Sequence, residues 1–447
     1  MPSTISSSSN GSIIGNAMSG GVDNTIYKPW SQYAQDRLLS QSPPVLGSFI
    51  ASEIEEAAKQ HLKEYPDAFL YVFASAGTNS TDKANRDVFS KWAIVPRMLR
   101  DVSTRTLETT IFGVKMKSPL FLSPISSQTI THPDGECASA AAAGKLGVTY
   151  IMSGAASRTI EDVASANGPG GHRWYQFYWP RSTDIAISIL TRAKENGFTA
   201  LVVTVDTMVI GWRPHDLATG YLPFRHGMGT QTAFADPVFM SRFGEEPILD
   251  LPKFPYDPKA LDELYRNGDE RTRKIMYIGA EWVKETATHF WTWEDLKFVR
   301  EHWDGPIVLK GIQHPKDAEI AIDHGMDGII VSNHGGRQID GALPSLLALQ
   351  KICSSSKVKQ AQSSGKLTIL YDSGLRTGSD AFKAIALGAQ GVCLGRPYIY
   401  GLTLAGEIGV DQVIRGLLAE LELTLGLAGF TSIQDIHGKA EEIMERM

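Results

Sequence analysis

Gly328-Ile329-Ile330-Val331-Ser332-Asn333-His334-Gly335-Gly336-Arg337-Gln338 is the stretch on which the fold turns. Its first four residues form an apolar run too short and too β-branched for a helix, and predict a buried strand. The polar remainder predicts a loop at the C-terminal end of that strand. Two glycines after the histidine let the backbone pass close to something flat or bulky. The loop also offers an imidazole that can take a proton and, three residues on, a guanidinium that can grip a carboxylate by two parallel hydrogen bonds. That pairing suits the removal of a proton or hydride next to a carboxylate. The bland alternative is a surface loop with an incidental histidine.

Seven further runs of the same kind flank this one, at 119–124, 148–153, 174–178, 200–205, 306–310, 367–372 and 391–395. Between most of them lies a segment of helical period, such as 135–146, 184–196, 315–324 and 379–387. Eight strands alternating with helices predict a parallel (β/α)8 (TIM) barrel rather than an open sheet. The C-terminal strand ends of such a barrel build the active site. Gln176, Thr204, Asp206, Lys310, His334, Asp372, Arg376 and Arg396 all fall at or just past these ends.

The spacing breaks once, after the fourth strand. Residues 211–305 hold Tyr221-Leu222-Pro223-Phe224, a Gly/Thr/Gln-rich stretch, and two charged segments at 258–267 and 269–284 that read as helices. A long insertion beside the catalytic face predicts a lid or an oligomer contact rather than a separate domain. The barrel is expected to span 119–447, preceded by a helical extension over 26–118. In 48–65, Ile50, Ile54, Ala57, Ala58 and Leu62 share one side of a helix expected outside the main body. The Ser/Gly-rich residues 1–25 predict a disordered tail, without the basic start and apolar core of a secretory signal.

The 447 residues are 43% hydrophobic, ample for a large core, with a net charge of -6. That balance offers no basic field to a nucleic acid. No apolar run approaches the roughly 20 residues of a membrane span. Cys137, Cys353 and Cys393 stand far apart, without CxxC or metal-ligand spacing, so neither a disulfide framework nor a metal site is expected. Reduced, buried cysteines suit a cytoplasmic protein. The chain ends Glu445-Arg446-Met447, unlike a Ser-Lys-Leu peroxisomal address.

The last two strand ends combine small residues, backbone N–H groups and two arginines in Asp372-Ser373-Gly374-Leu375-Arg376-Thr377-Gly378 and Gly395-Arg396. This is the composition of a barrel phosphate site, although the Asp-Ser-Gly alone reads as an ordinary turn. Lys310 closes an otherwise apolar strand, Ile307-Val308-Leu309. A lysine pointing into a barrel mouth is costly unless an anion meets it.

Taken whole, the Ser332–Gln338 string resembles the signature of the FMN-dependent 2-hydroxy acid oxidising family. That family includes glycolate oxidase, lactate oxidase, lactate 2-monooxygenase and the haem-fused lactate dehydrogenases. The likeness runs from about residue 65 to the C-terminus, and it implies FMN as cofactor. It implies His334 as the base that takes the proton of an L-2-hydroxy acid, with Asp206 orienting the imidazole and stabilising its cation. Arg337 and Arg213 are implied as the clamp on the substrate carboxylate. Tyr71, which alone reads as an aromatic core residue, matches a substrate-binding tyrosine within YVFASAG…ANRDVF. Tyr178, two residues past Gln176 and so on the same strand face, joins it. Ser153, Gln176 and Thr204 match positions that hydrogen-bond the flavin ring, Ser332 is grouped with them, and Lys310 matches the lysine at N1 and O2 of that ring. Asp372, Gly374, Arg376, Gly395 and Arg396 are implied at the phosphate end.

Within the family, Trp212-Arg213-Pro214, Tyr221–Phe224, Asp236-Pro237-Val238-Phe239, Thr292-Trp293-Glu294-Asp295-Leu296, Gly395-Arg396-Pro397-Tyr398 and the long insertion resemble lactate 2-monooxygenase. The resemblance implies oxidative decarboxylation, with a simple oxidase releasing 2-keto acid and hydrogen peroxide as the alternative. No haem-binding segment precedes the barrel, so dioxygen is the expected acceptor. A homo-oligomer, tetramer or octamer, is expected. Ser126 departs from the pattern, standing where the monooxygenase typically has glycine and the oxidases alanine. Ala155 stands where glycolate oxidase carries tryptophan, which implies a roomier pocket. An FMN barrel of the diphosphate-isomerase kind, an NAD-linked barrel dehydrogenase and a non-catalytic descendant are the other readings. The first two need a second phosphate or nucleotide site that the sequence does not display.

Overall fold

The computed structural model describes residues 29–447, so the expected Ser/Gly-rich tail lies outside the described residues. Eight parallel strands close into a barrel in chain order: β1 (Leu120–Leu122), β2 (Thr149–Met152), β3 (Arg173–Phe177), β4 (Leu201–Thr204), β5 (Ile307–Ile312), β6 (Gly328–Val331), β7 (Thr368–Asp372) and β8 (Gly391–Leu394). The ring is completed by β8 on β1, where Val392, Cys393 and Leu394 pair with Leu120, Phe121 and Leu122. Each strand overlaps one of the eight apolar runs, with β3 starting one residue before its run and β5 ending two residues past its own. The helices expected between them form at Glu136–Leu146, Thr183–Glu195, Pro315–Asp323 and Gly378–Ala386. Their ends follow local chemistry. Gly147 closes the first at φ +66, and Thr377 opens the last in a capping box with Asp380.

The barrel interior explains where the polar residues lie. Phe121, Ile151, Trp174, Val202, Val308, Ile330, Leu370 and Cys393, one from each strand, form a buried apolar layer. Ile111 and Met116 of an antiparallel hairpin join this layer, with Phe112 packed against it. Side chains alternate along a strand, so the residue two positions further on faces the interior again, nearer the C-terminal mouth. Those residues are Ser123, Ser153, Gln176, Thr204, Lys310, Ser332, Asp372 and Gly395. An apolar plug thus carries a polar layer at the barrel mouth.

The insertion between β4 and β5 has a packed interior of its own, with Phe234, Phe239, Met240, Ile278 and Trp282 buried. Its charged helices form at Pro258–Asn267 and Glu270–Thr286. Asp236 is fully buried; it accepts from the N–H groups of Val238 and Phe239, and from Ser188 Oγ at 2.8 Å on the barrel helix Thr183–Glu195. Arg192 of that helix adds an ion pair to Asp236 at 3.3 Å. In the N-terminal extension, the helix Ala51–His61 lies outside the barrel and packs against the long C-terminal helix Arg396–Leu427, with Ile54 and Ala58 buried. The next helix, Pro66–Phe73, buries Tyr71. Among the described residues no helix is long and apolar enough to cross a membrane.

Candidate active site

The loop after β6 is built from three successive left-handed residues, His334 at φ +59, Gly335 at +64 and Gly336 at +76. Glycine is needed at 336, because a Cβ there would fall 2.6 Å from the backbone nitrogen of Asp82. His334 has no such freedom, and a left-handed non-glycine residue costs about 1–2 kcal/mol. The surroundings hold it there. Its N–H donates to Ser332 Oγ at 3.0 Å, and that hydroxyl donates to Asp372 Oδ1 at 2.7 Å. Asn333 is locked to Asn85 of the N-terminal extension by reciprocal amide hydrogen bonds of 2.7 and 2.8 Å.

His334 Nδ1 lies 2.8 Å from Asp206 Oδ1 and 3.0 Å from Thr207 Oγ1. A carboxylate only accepts, so Nδ1 carries the proton and the Nε2 lone pair remains for a substrate. Burial alone would raise the Asp206 carboxyl, but Lys310 and His334 hold it well below the usual carboxylate range. Lys310 Nζ stands 3.9 Å from Asp206 Oδ2. This approach needs Gly311, at φ +110, since a Cβ there would lie 2.6 Å from the Asp206 Cβ. Burial lowers the His334 imidazole against the opposing pull of Asp206. The imidazole is therefore neutral near pH 7, with an anion in place to stabilise it once charged.

Arg337, Arg213, Tyr71 and Tyr178 share one cavity with His334. Arg337 donates through Nη1 to the Val72 and Ala74 carbonyls, at 3.3 and 2.6 Å, while its Nε and Nη2 make no hydrogen bond among the described residues. Arg213 is buried and donates to the Arg337 carbonyl and to Gln338 Oε1, both at 3.1 Å. Burial, then the Arg213 and Arg396 guanidiniums, lower Arg337. Buried cations so crowded favour a bound anion. Burial pushes the Tyr178 phenol up to about 12, so it stays a donor. The insertion supplies Leu222, Phe224, Trp282 and Val283 to the same cavity, an apolar roof.

On the barrel side, a second cavity is lined by Ser123, Lys310, Asp372, Ser373, Gly374, Arg376, Gly395 and Arg396. Gln176 Oε1 accepts from Ser153 Oγ at 3.2 Å and from the Gly154 N–H at 3.1 Å, which fixes its amide orientation. Its Nε2 is then buried without a partner among the described residues, as is Thr204 Oγ1 in the same layer. Each orphan costs about 1–3 kcal/mol unless something pairs with it. A flavin ring edged with carbonyls and ring nitrogens would satisfy both, and Lys310 of the same layer would supply a positive charge to it. Gly374, at φ +89, packs this turn against the N-terminal extension, since a Cβ there would fall 2.3 Å from the Asn85 carbonyl oxygen. The residues present therefore fit FMN, and Arg376 and the Ser373-Gly374 turn, which line this cavity, are the groups that would hold its phosphate.

The candidate catalytic, substrate-binding and cofactor-binding residues named from the sequence lie at this mouth, in two adjoining groups. Arg396 reaches further than expected: it donates to the Val72 carbonyl at 2.9 Å and pairs with Asp82 Oδ1 at 2.9 Å, tying β8 to the N-terminal extension. Ser123, which donates to Asp372 Oδ2 at 2.8 Å, was not among the expected residues. Its signal was the two-residue step past Phe121. Leu222 and Phe224 lay in a string the sequence singled out, whereas Thr207, Asp82, Trp282 and Val283 carried no comparable signal.

A barrel with two orphaned polar atoms at its mouth, beside a neutral imidazole and two buried guanidiniums, suits a flavin oxidoreductase acting beside a carboxylate. The family described as FMN-dependent dehydrogenase matches residues 58–442, and the chain belongs to it. An FMN-dependent alpha-hydroxy acid dehydrogenase of Penicillium citrinum is 43% identical over 368 residues, 82% of this chain and 84% of that protein. An L-lactate oxidase of Lysinibacillus sphaericus is 38% identical, over 86% of this chain and 90% of its own length. A crystal structure of mandelate oxidase superposes with a TM-score of 0.69 at 32% identity, covering 87% of this chain and 97% of that one. The protein is an FMN-dependent oxidoreductase of 2-hydroxy acids.

Proposed function

We propose that the protein oxidises an L-2-hydroxy acid with a side chain larger than methyl, passes the electrons to dioxygen, and retains the keto acid for oxidative decarboxylation. The observation that carries this reading is the roof of Leu222, Phe224, Trp282 and Val283 over the cavity shared by His334, Arg213 and Arg337. Arg213 and Arg337 hold the carboxylate, with Tyr71 and Tyr178 donating to it. His334 Nε2 takes the hydroxyl proton, and Asp206 stabilises the imidazolium. FMN, when bound, supplies the two-electron acceptor, with Lys310 placing a positive charge beside it. Ala155 adds room, and the apolar roof suits an alkyl or aryl side chain.

The first turnover converts the hydroxy acid and dioxygen to 2-keto acid and hydrogen peroxide. If both stay under the roof, they yield the acid one carbon shorter, carbon dioxide and water. The roof is packed and tied to the barrel through Asp236, which favours retention. A simple oxidase is the second reading. It is favoured by Ser126, whose side chain borders both cavities and takes up space between them. The experiment is a count of peroxide and carbon dioxide per dioxygen consumed, on the best acid from an anaerobic bleaching screen. One carbon dioxide per dioxygen is expected. Stoichiometric peroxide without carbon dioxide would establish the oxidase reading instead.

A further inference from the structure

The Tyr71 ring is held on several sides, but its hydroxyl is not. The Arg337 guanidinium lies over the ring, 5.3 Å from its centroid, and the rings of Tyr221 and Phe224 meet it at near-perpendicular angles, 6.2 and 6.4 Å away. The hydroxyl has a single partner, Ser126 Oγ at 3.3 Å, and that serine hydroxyl makes no other hydrogen bond among the described residues. Ser126 stands on the turn after β1, where the cofactor cavity and the substrate pocket adjoin. The backbone of that turn is fixed by its neighbour: Ser127 sits at φ +55 and donates its N–H to the Ala155 carbonyl at 3.0 Å. The serine hydroxyl is thus presented to Tyr71 from a tethered loop.

A phenol has one proton to give, and a carboxylate can only accept. Once an acid sits between Arg213 and Arg337, a Tyr71 proton committed to its carboxylate is no longer available to Ser126. The contact then persists with Ser126 as donor and the phenol oxygen as acceptor. We propose that Ser126 is a positioning residue for Tyr71, donating to the phenol oxygen and so turning the phenol proton onto the substrate carboxylate. Accepting one hydrogen bond also strengthens the one the phenol donates. Alanine or glycine at this position leaves the phenol O–H free to rotate. This inference rests on reading Tyr71 as a ligand of the substrate carboxylate.

A double-mutant cycle on the holoenzyme tests it. The variants are Ser126→Ala, Tyr71→Phe, the pair together, and Ser126→Thr as the conservative replacement. One readout is the affinity for oxalate, an unreactive carboxylate, followed by perturbation of the flavin spectrum. The other is the split between KM and the rate of flavin reduction at saturation. Ser126→Ala is expected to weaken oxalate and raise KM about five-fold, the equivalent of one net hydrogen bond of about 1 kcal/mol. The saturated rate should change less than about two-fold, and Ser126→Thr should restore parental affinity. In the Tyr71→Phe background the serine change should have no further effect. An equal loss in that background, or no loss in the parent, overturns the proposal alone. If Tyr71→Phe binds oxalate as the parent does, the Tyr71 reading itself falls, and the proposal with it.

Discussion

At His334 burial and the Asp206 carboxylate act in opposite directions, and the net result is an imidazole below its ordinary value of 6.5. Only the neutral ring accepts a proton. The kcat/KM for flavin reduction should therefore rise with pH through an acid limb below 6.5 and then level off. Asp206→Asn removes the interaction that raises the imidazole, so that limb should move to still lower pH. The plateau should fall by about 10²–10⁴-fold, because the imidazolium loses its counter-ion. A limb displaced upward in the variant would contradict the pairing. Arg337→Lys keeps the charge but loses the planar fork, and should weaken substrate binding by roughly ten-fold or more, read as KM with an alternate-acid control. Lys310→Met should weaken sulfite binding to the holoenzyme, measured by absorbance titration. Unchanged affinity would remove Lys310 from the flavin. The chemistry of these residues was legible in the chain, since imidazole, guanidinium and lysine fell on loops and strand ends of definite period. Thr207, which meets His334 from another strand end, and Asp82, which pairs with Arg396 from a distant helix, were not, because such contacts leave no local mark.

Strands and helices were legible where a single physical period governed them. The eight apolar runs became the eight barrel strands, and the step of two from Val308 to Lys310, or Leu370 to Asp372, placed the polar layer. The helix Pro66–Phe73 was less legible, since almost all of it is apolar and its burial depends on what it packs against. The insertion was legible as an interruption, with both charged helices in place. A lid was one of its two expected roles, but that Trp282 and Val283 would line the pocket beside Leu222 was not legible, because those residues meet only in three dimensions. The catalytic loop makes a demand at this scale that can be tested. Gly336→Ala puts a Cβ 2.6 Å from the Asp82 nitrogen at φ +76. It should cost about 1–3 kcal/mol and displace the loop from the N-terminal extension. Urea unfolding of the holoenzyme should show the lower midpoint, and a midpoint equal to the parent's would mean the loop relaxes freely.

Across the whole molecule, a plugged barrel presents one polar mouth, and two outlying segments complete it. The N-terminal extension brings Tyr71 and locks onto the catalytic loop through Asn85 and through Asp340, which accepts from both Thr78 and Ser80. The insertion brings Arg213 and the roof. Neither group works without the other: the cofactor side lacks a substrate clamp, and the clamp lacks an electron acceptor. The central claim is that His334, held left-handed at this junction, takes the proton of an L-2-hydroxy acid while FMN takes its electrons. Anaerobic stopped-flow reduction of the FMN-loaded protein by L-2-hydroxy acids, run beside His334→Gln, tests it most directly. The account predicts rapid bleaching of the parent flavin by its preferred acid, and a variant that retains FMN but reduces it at least about 10²-fold more slowly. Bleaching of the variant at nearly the parental rate would contradict it.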